Sequence, residues 1–312
     1  MRIVVALGGN ALLERGQRPD AEVQEENVHR AVAALVPLAE QHEIVVTHGN
    51  GPQVGVLALQ SAADTALSEP YPLDVLGAMT QGMIGYWLLQ ALQNALPGRQ
   101  VASLICQTLV SAVDPAFDNP TKFVGPVYEE DEAKRLATEK GWEVRKDGAR
   151  WRRVVPSPRP LRVVETRLIR LLMASGAVVV CAGGGGVPAL RNEQGKLEGV
   201  EAVVDKDLTA SLLAEALEAD ALLLLTDTAN VVRGFGTEAA TPILHATPAD
   251  MRREDFPAGS MGPKVEAACR FVELTGDMAA IGALEDAVRI LAGEAGTILT
   301  PSGRYPEAAP TC

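Results

Sequence analysis

Short apolar runs alternate with longer helical stretches along almost the whole chain, and this alternation constrains the fold more than any other feature. Runs at 2–7, 43–47, 101–108, 177–182, 221–226, 278–282 and 296–299 read as strands. Several, such as ALLLL before Thr226, are continuously apolar, as strands covered on both faces require. Stretches at 22–41, 53–61, 73–95, 163–174, 208–218, 263–275 and 284–292 carry helical spacing. Gly98 and Gly176 mark helix ends. Strand and helix in alternation predict an α/β chain with a mainly parallel central sheet wrapped by helices. Its 312 residues suffice for one large core or two modest lobes.

Residues 114–160 break the rhythm. They hold DNPTKFVGP, a charged helical piece at 129–140, GWEVRKDGARWRRVV and then PSPRP. Structureless loops of that length are uncommon, so a small β-rich subdomain is expected there, inserted in a domain spanning 1–312. The tail at 301–312 reads as a frayed terminus.

A net charge of −12 opposes any surface for nucleic acid or anionic membrane. An anionic small substrate must therefore be met by a local cluster of donors. Cys106, Cys181, Cys269 and Cys312 show no CxxC spacing, and the histidines are scattered. That pattern points to small core residues in a reducing cytoplasm, not to a metal cluster. The opening MRIVVALGGNALL lacks the features of a signal peptide. The longest apolar runs fall far short of the ~20 residues a bilayer span requires.

Ligands of open α/β sheets bind beyond the carboxyl ends of strands, and that is where glycine-rich loops fall. The first strand leads into Gly8-Gly9-Asn10, where bare backbone N–H groups can approach an oxyanion and Asn10 adds an amide. A tight turn would account for the glycine pair equally well. The second strand leads into His48-Gly49-Asn50-Gly51-Pro52, with the proline suited to a first helical turn. His48 is favoured as a structural residue over a base. Gly183–Gly185 and Gly186 follow a third strand, and the entropy cost of such a run points to close approach by a phosphate or substrate. Neither GKS/T nor GxGxxG is present, which disfavours P-loop and dinucleotide sites.

Two lysines complete the set. Asp205 and Asp207 suit the cap and dipole of a helix start, whereas Lys206 between them is a misfit unless an anion sits there. Flanking carboxylates can position that lysine and keep it protonated. Gly259-Ser260-Met261-Gly262-Pro263-Lys264 again joins a glycine turn to a helix start and a lysine. Thr226 and Asp227 complete a plausible nucleotide edge. Such equipment suits phosphoryl transfer, which relies on positioning and on amides, lysines and Mg2+ to stabilise charge.

The segments VVALGGNALL, VVTHGNGPQVG, AFDNPTKFVGP, WRRVVPSPRP, CAGGGGVP, VDKDLTASLLAE and SMGPKVEAA run in collinear order from residue 1 to about 275. In them the chain strongly resembles the carbamate kinases, within the amino acid kinase family. The resemblance implies an open three-layer αβα sandwich with a small protruding subdomain, usually a homodimer. It implies reversible transfer between ATP and carbamate, giving ADP and carbamoyl phosphate, with Mg2+ accompanying the nucleotide, in arginine metabolism. Carried over, Gly8, Gly9, Asn10, Gly49, Asn50 and Gly51 would hold the phosphoryl group and the small acid. Lys122, in NPTK, would reach down from the subdomain. Lys206 and Lys264 would neutralise developing charge, and Asp207 would orient them. Thr226, Asp227, Gly259, Met261 and Gly262 would border the ADP side. The runner-up is another acylphosphate-forming member such as acetylglutamate kinase, against which NPTK argues. Ala6-Leu7 stands where the wider family commonly carries lysine, a departure the carbamate kinases share. Val232 stands where tyrosine is usual, and Phe123 replaces a frequent proline.

Overall fold

Strands with no polar face must be roofed on both sides, and the computed structural model shows how this chain does it. The structure describes residues 1–14, 16–257 and 259–304, with Asn10 described by its backbone alone. Cys312 and most of the expected frayed tail lie outside the described residues.

The central sheet has eight strands. Their order is His245–Ala246, Thr297–Leu299, Met278–Ala283, Ala221–Thr226, Arg2–Leu7, Glu43–His48, Val178–Val180 and Val101–Ser103. All neighbours are parallel except Met278–Ala283 and Thr297–Leu299. Alternation along the opening strand sorts side chains between two cores. Ile3, Val5 and Leu7 join Val28, Leu35, Ile84 and Leu88 on one face, beneath helices Ala21–Gln41 and Leu73–Ala95. Val4 and Ala6 join Ile169, Leu213 and Phe271 on the other, beneath helices Thr166–Ala174, Lys206–Ala216 and Met261–Thr275. Each fully buried aliphatic side chain contributes about 1.5–3 kcal/mol, so the sandwich rests on these two layers.

The expected strand at 101–108 divides in two. Val101–Ser103 stays in the central sheet, whereas Gln107–Leu109 turns into a four-stranded sheet with Leu197–Gly199, Val187–Arg191 and Arg162–Val163. The division accompanies hydrogen bonds from Gln81, which grips both the N–H and the carbonyl of Cys106. Because Arg162–Val163 pairs with Gln107–Leu109, the helix expected from residue 163 starts only at Thr166. The stretch 284–292 begins as a 3-10 turn, Leu284–Asp286, before helix Ala287–Leu291.

Within 114–160 a separate antiparallel sheet forms, ordered Lys122–Tyr128, Arg150–Val155 and Glu143–Asp147, with helix Glu130–Lys140 between its first two strands in sequence. Polar side chains hold it. The Arg153 guanidinium sits 4.8 Å from the Trp142 ring centre, and Arg152 Nε donates to the Gly125 carbonyl at 2.7 Å. It meets the rest of the chain through Val54, Leu73, Leu76, Val124 and Val155. There a Cβ on Gly55 would stand 3.2 Å from Gly125 Cα, so helix and strand approach backbone to backbone.

Candidate active site

Arg2–Leu7 lies between Glu43–His48 and Ala221–Thr226, and the loops leaving all three strands open into one cavity of about 1020 Å³. A smaller depression of about 550 Å³ lies around Met1, Arg2 and Arg99 at the opposite end of the strands, and Arg99 there is committed to the carbonyls of Ala39, His42 and Gly176.

The cavity floor is stitched backbone to backbone. Gly8 N–H donates to the Leu225 carbonyl at 2.8 Å, and Gly49 N–H donates to the Leu7 carbonyl at 3.0 Å. A Cβ on Gly49 would lie 2.9 Å from the nitrogen and Cα of Gly9, which explains the glycine. The amides of Gly9, Asn50 and Gly51 have no partner among the described residues, and Gly51 opens helix Gly51–Ala63. These N–H groups at a helix start can accept an anion. The Asn50 side chain turns away, its Nδ2 donating to Thr80 Oγ1 at 2.8 Å.

The glycine run serves packing. Gly184, Gly185 and Gly186 have φ of 65°, 91° and 85°, where side chains are strained. An added Cβ at Gly183 would run into the His48 ring, at Gly184 into the Asn50 amide and at Gly186 into Thr108. Among the four, Gly184 lines the cavity. The protein's own side chains, not a ligand, account for most of the run. His48 is buried beneath it, and its Nδ1 lies 2.9 Å from the Gly49 carbonyl. Burial lowers the imidazole pKa to about 4, opposed by that hydrogen bond and reinforced by Lys206, so the ring is neutral near pH 7.

Asp205 caps helix Lys206–Ala216, its Oδ1 accepting from Asp207 N–H at 2.9 Å and Leu208 N–H at 3.2 Å. This cap starts the helix at Lys206, two residues before the expected 208. Lys206 and Asp207 thereby stand on the first turn, facing the cavity. Asp207 joins two cations: Lys206 Nζ contacts Oδ1, and Lys264 Nζ lies 3.1 Å from Oδ2. All three side chains are mostly buried, at 14% exposure for Lys206, 12% for Lys264 and 5% for Asp207. Burial pushes the Asp207 carboxyl up, but the two ammonium groups outweigh it and hold the pKa at about 2. Burial lowers Lys206, with Asp207 opposing and Lys264 adding to the shift. From the far side, Lys122 Nζ contacts Asp205 Oδ2 at 2.9 Å.

Gly259, Met261, Thr226 and Asp227 line the other end, where Val232, Phe235, Pro242 and Phe256 add an apolar wall. Thr226 Oγ1 donates to Asp227 Oδ1 at 3.1 Å. Gly262 packs behind the rim, its N–H donating to the Pro257 carbonyl at 2.9 Å. Nothing in the sequence picked out Phe235, Pro242 or Phe256, because loop aromatics and prolines carry no periodic signal.

The model of the amino acid kinase family matches residues 1–281. A carbamate kinase of Rhizobium meliloti is 54% identical over 305 residues, covering 97% of this chain and 94% of the relative. A carbamate kinase of Haemophilus influenzae is 50% identical over 301 residues, covering 96% and 97%. The structure of carbamate kinase from Giardia lamblia bound to AMP-PNP superposes with a TM-score of 0.88 at 40% identity, covering 96% of this chain and 98% of that one. Sequence, fold and cavity agree, and this chain belongs to the amino acid kinase family.

Proposed function

We propose that the chain is a carbamate kinase, moving a phosphoryl group reversibly between ATP and carbamate. One observation carries the reading: lysines from three separate segments, Lys122, Lys206 and Lys264, line the same cavity as the open amides of Gly9, Asn50 and Gly51. In the forward direction a carbamate oxygen bonds to the γ-phosphorus as the bond to the ADP oxygen breaks. The acceptor is already an anion, so no base is needed, and neutral His48 fits a structural role.

Lys206 and Lys264 neutralise charge on the equatorial and leaving oxygens, and Asp207 fixes where their ammonium groups stand. The open amides hold the small acid and the phosphoryl group, with Gly8 and Gly49 shaping the floor; Asn10 belongs to the same turn. Lys122 reaches in from 114–160, which acts as an inserted subdomain. Thr226, Asp227 and the rim at Gly259, Met261 and Gly262 border ADP. Mg2+ arrives on the nucleotide phosphates as part of the substrate. Exposed Leu59, Tyr71, Val75, Met79 and Tyr86 suit a homodimer contact, testable by sedimentation. Buried, unbridged Cys106, Cys181 and Cys269 suit the cytoplasm, and no helix among the described residues is long and apolar enough to cross a membrane.

A coupled assay tests the activity. ATP should form from ADP and carbamoyl phosphate, and no product should form from ATP and acetylglutamate. The opposite preference would replace this reading with its acetylglutamate alternative.

A further inference from the structure

Asp205 works in two directions at once. Its Oδ1 caps the helix that carries Lys206 and Asp207, while its Oδ2 accepts from Lys122 Nζ at 2.9 Å. Lys122 opens the first strand of the small three-stranded sheet, so a single carboxylate joins that sheet to the start of the lysine-bearing helix. The residues just before it make the same connection twice more. Val203 N–H donates to the Pro156 carbonyl at 3.0 Å, and Arg153 Nη2 lies 2.8 Å from Glu201 Oε1.

A cap alone needs one carboxylate oxygen, and serine or asparagine would supply it. The second oxygen is spent on a lysine that is 39% exposed, a contact worth little to stability at such exposure. Its value lies in placement. Lys206 and Lys264 are fixed by burial and by Asp207, whereas Lys122 has Asp205 as its one ionic partner among the described residues and would otherwise sample many rotamers.

We propose that Asp205 is a positioning residue for phosphoryl transfer, holding Lys122 Nζ over the cavity in register with Lys206 and Lys264. The inference rests on the kinase reading above. The transferring group then meets three ammonium groups whose arrangement precedes its arrival, the preorganisation on which such catalysis depends.

Asp205→Asn tests it, because asparagine caps as well as aspartate but offers Lys122 no charge. It should lower kcat about tenfold while leaving the KM for ADP within about twofold, with unchanged thermal melting. In a Lys122→Ala background the same substitution should cost nothing further. Wild-type kcat in Asp205→Asn, or an equal loss with and without Lys122, would overturn the role. Should Asp205→Asn fold poorly, Asp205→Ser keeps the cap, is too short to reach Lys122 and gives the same reading. A wild-type chain that makes no ATP from ADP and carbamoyl phosphate would remove the kinase reading itself, an outcome distinct from either.

Discussion

The central sheet and the small three-stranded sheet place lysines in one cavity by opposite means. Lys206 and Lys264 stand on buried helix starts, at 14% and 12% exposure, and share a carboxylate that is itself 5% exposed. Lys122 stands on a strand whose sheet is held by arginines, tryptophans and surface ion pairs, and it is 39% exposed. Low dielectric strengthens the first arrangement, and solvent screens the second. A site divided this way has a buried electrostatic floor and one solvent-facing lysine that depends on Asp205 for its placement.

That contrast can be broken most directly by kinetics. Lys206→Ala and Lys264→Ala should each lower turnover by about 10²-fold or more, the loss of one preorganised stabilising group. Lys122→Ala should also lower turnover, while ADP binding measured by calorimetry stays near wild type. Equal collapse of ADP binding would place Lys122 on the nucleotide side and dissolve the distinction.

Acid should attack the floor and spare the small sheet. The folded-state pKa of His48, about 4, lies below its ordinary 6.5, so unfolding takes up a proton between those values. Stability is then full above pH 6.5 and falls by about 3 kcal/mol as pH drops through 4. Asp207 is depressed from 3.8 to about 2, so its contribution disappears in a separate, lower window. Urea unfolding across pH should show both steps, and His48→Gln should remove the first alone.

The smallest effect belongs to the helix of the small sheet. Arg135 and Glu139 pair at 2.8 Å with side chains 58% and 50% exposed. Arg135→Ala should shift stability by no more than about 0.5 kcal/mol, read by thermal melting.

The same contrast explains what the sequence made legible. Runs such as 2–7 and 221–226 coincide with observed strands because burial on both faces keeps their interiors continuously apolar, with polar residues confined to Arg2 and Thr226 at the ends. The individual strands 122–128, 143–147 and 150–155 were not legible, since Gly125 and Pro126 interrupt the first and charged side chains crowd the other two. Continuity of apolar residues also hid the division at 103–107, where the chain changes sheets. Lys206, Asp207 and Lys264 were readable from helix-start chemistry. Lys122 came from the family resemblance, because nothing in its local pattern separates it from a solvated surface lysine. The glycine run was misjudged because its neighbours, His48, Asn50 and Thr108, are distant in sequence and meet it only in the fold.

The stitching of the cavity floor carries a consequence for hydrogen exchange. Gly8 and Gly49 give their amide protons to carbonyls of neighbouring central strands, so deuterium should reach them only when the sheet itself opens. Gly9 and Gly51, one and two positions further along, face the cavity unbonded among the described residues and should label at once. Slow and fast amides would then sit within two residues of each other in each of the two loops, and bound phosphate would silence the fast ones.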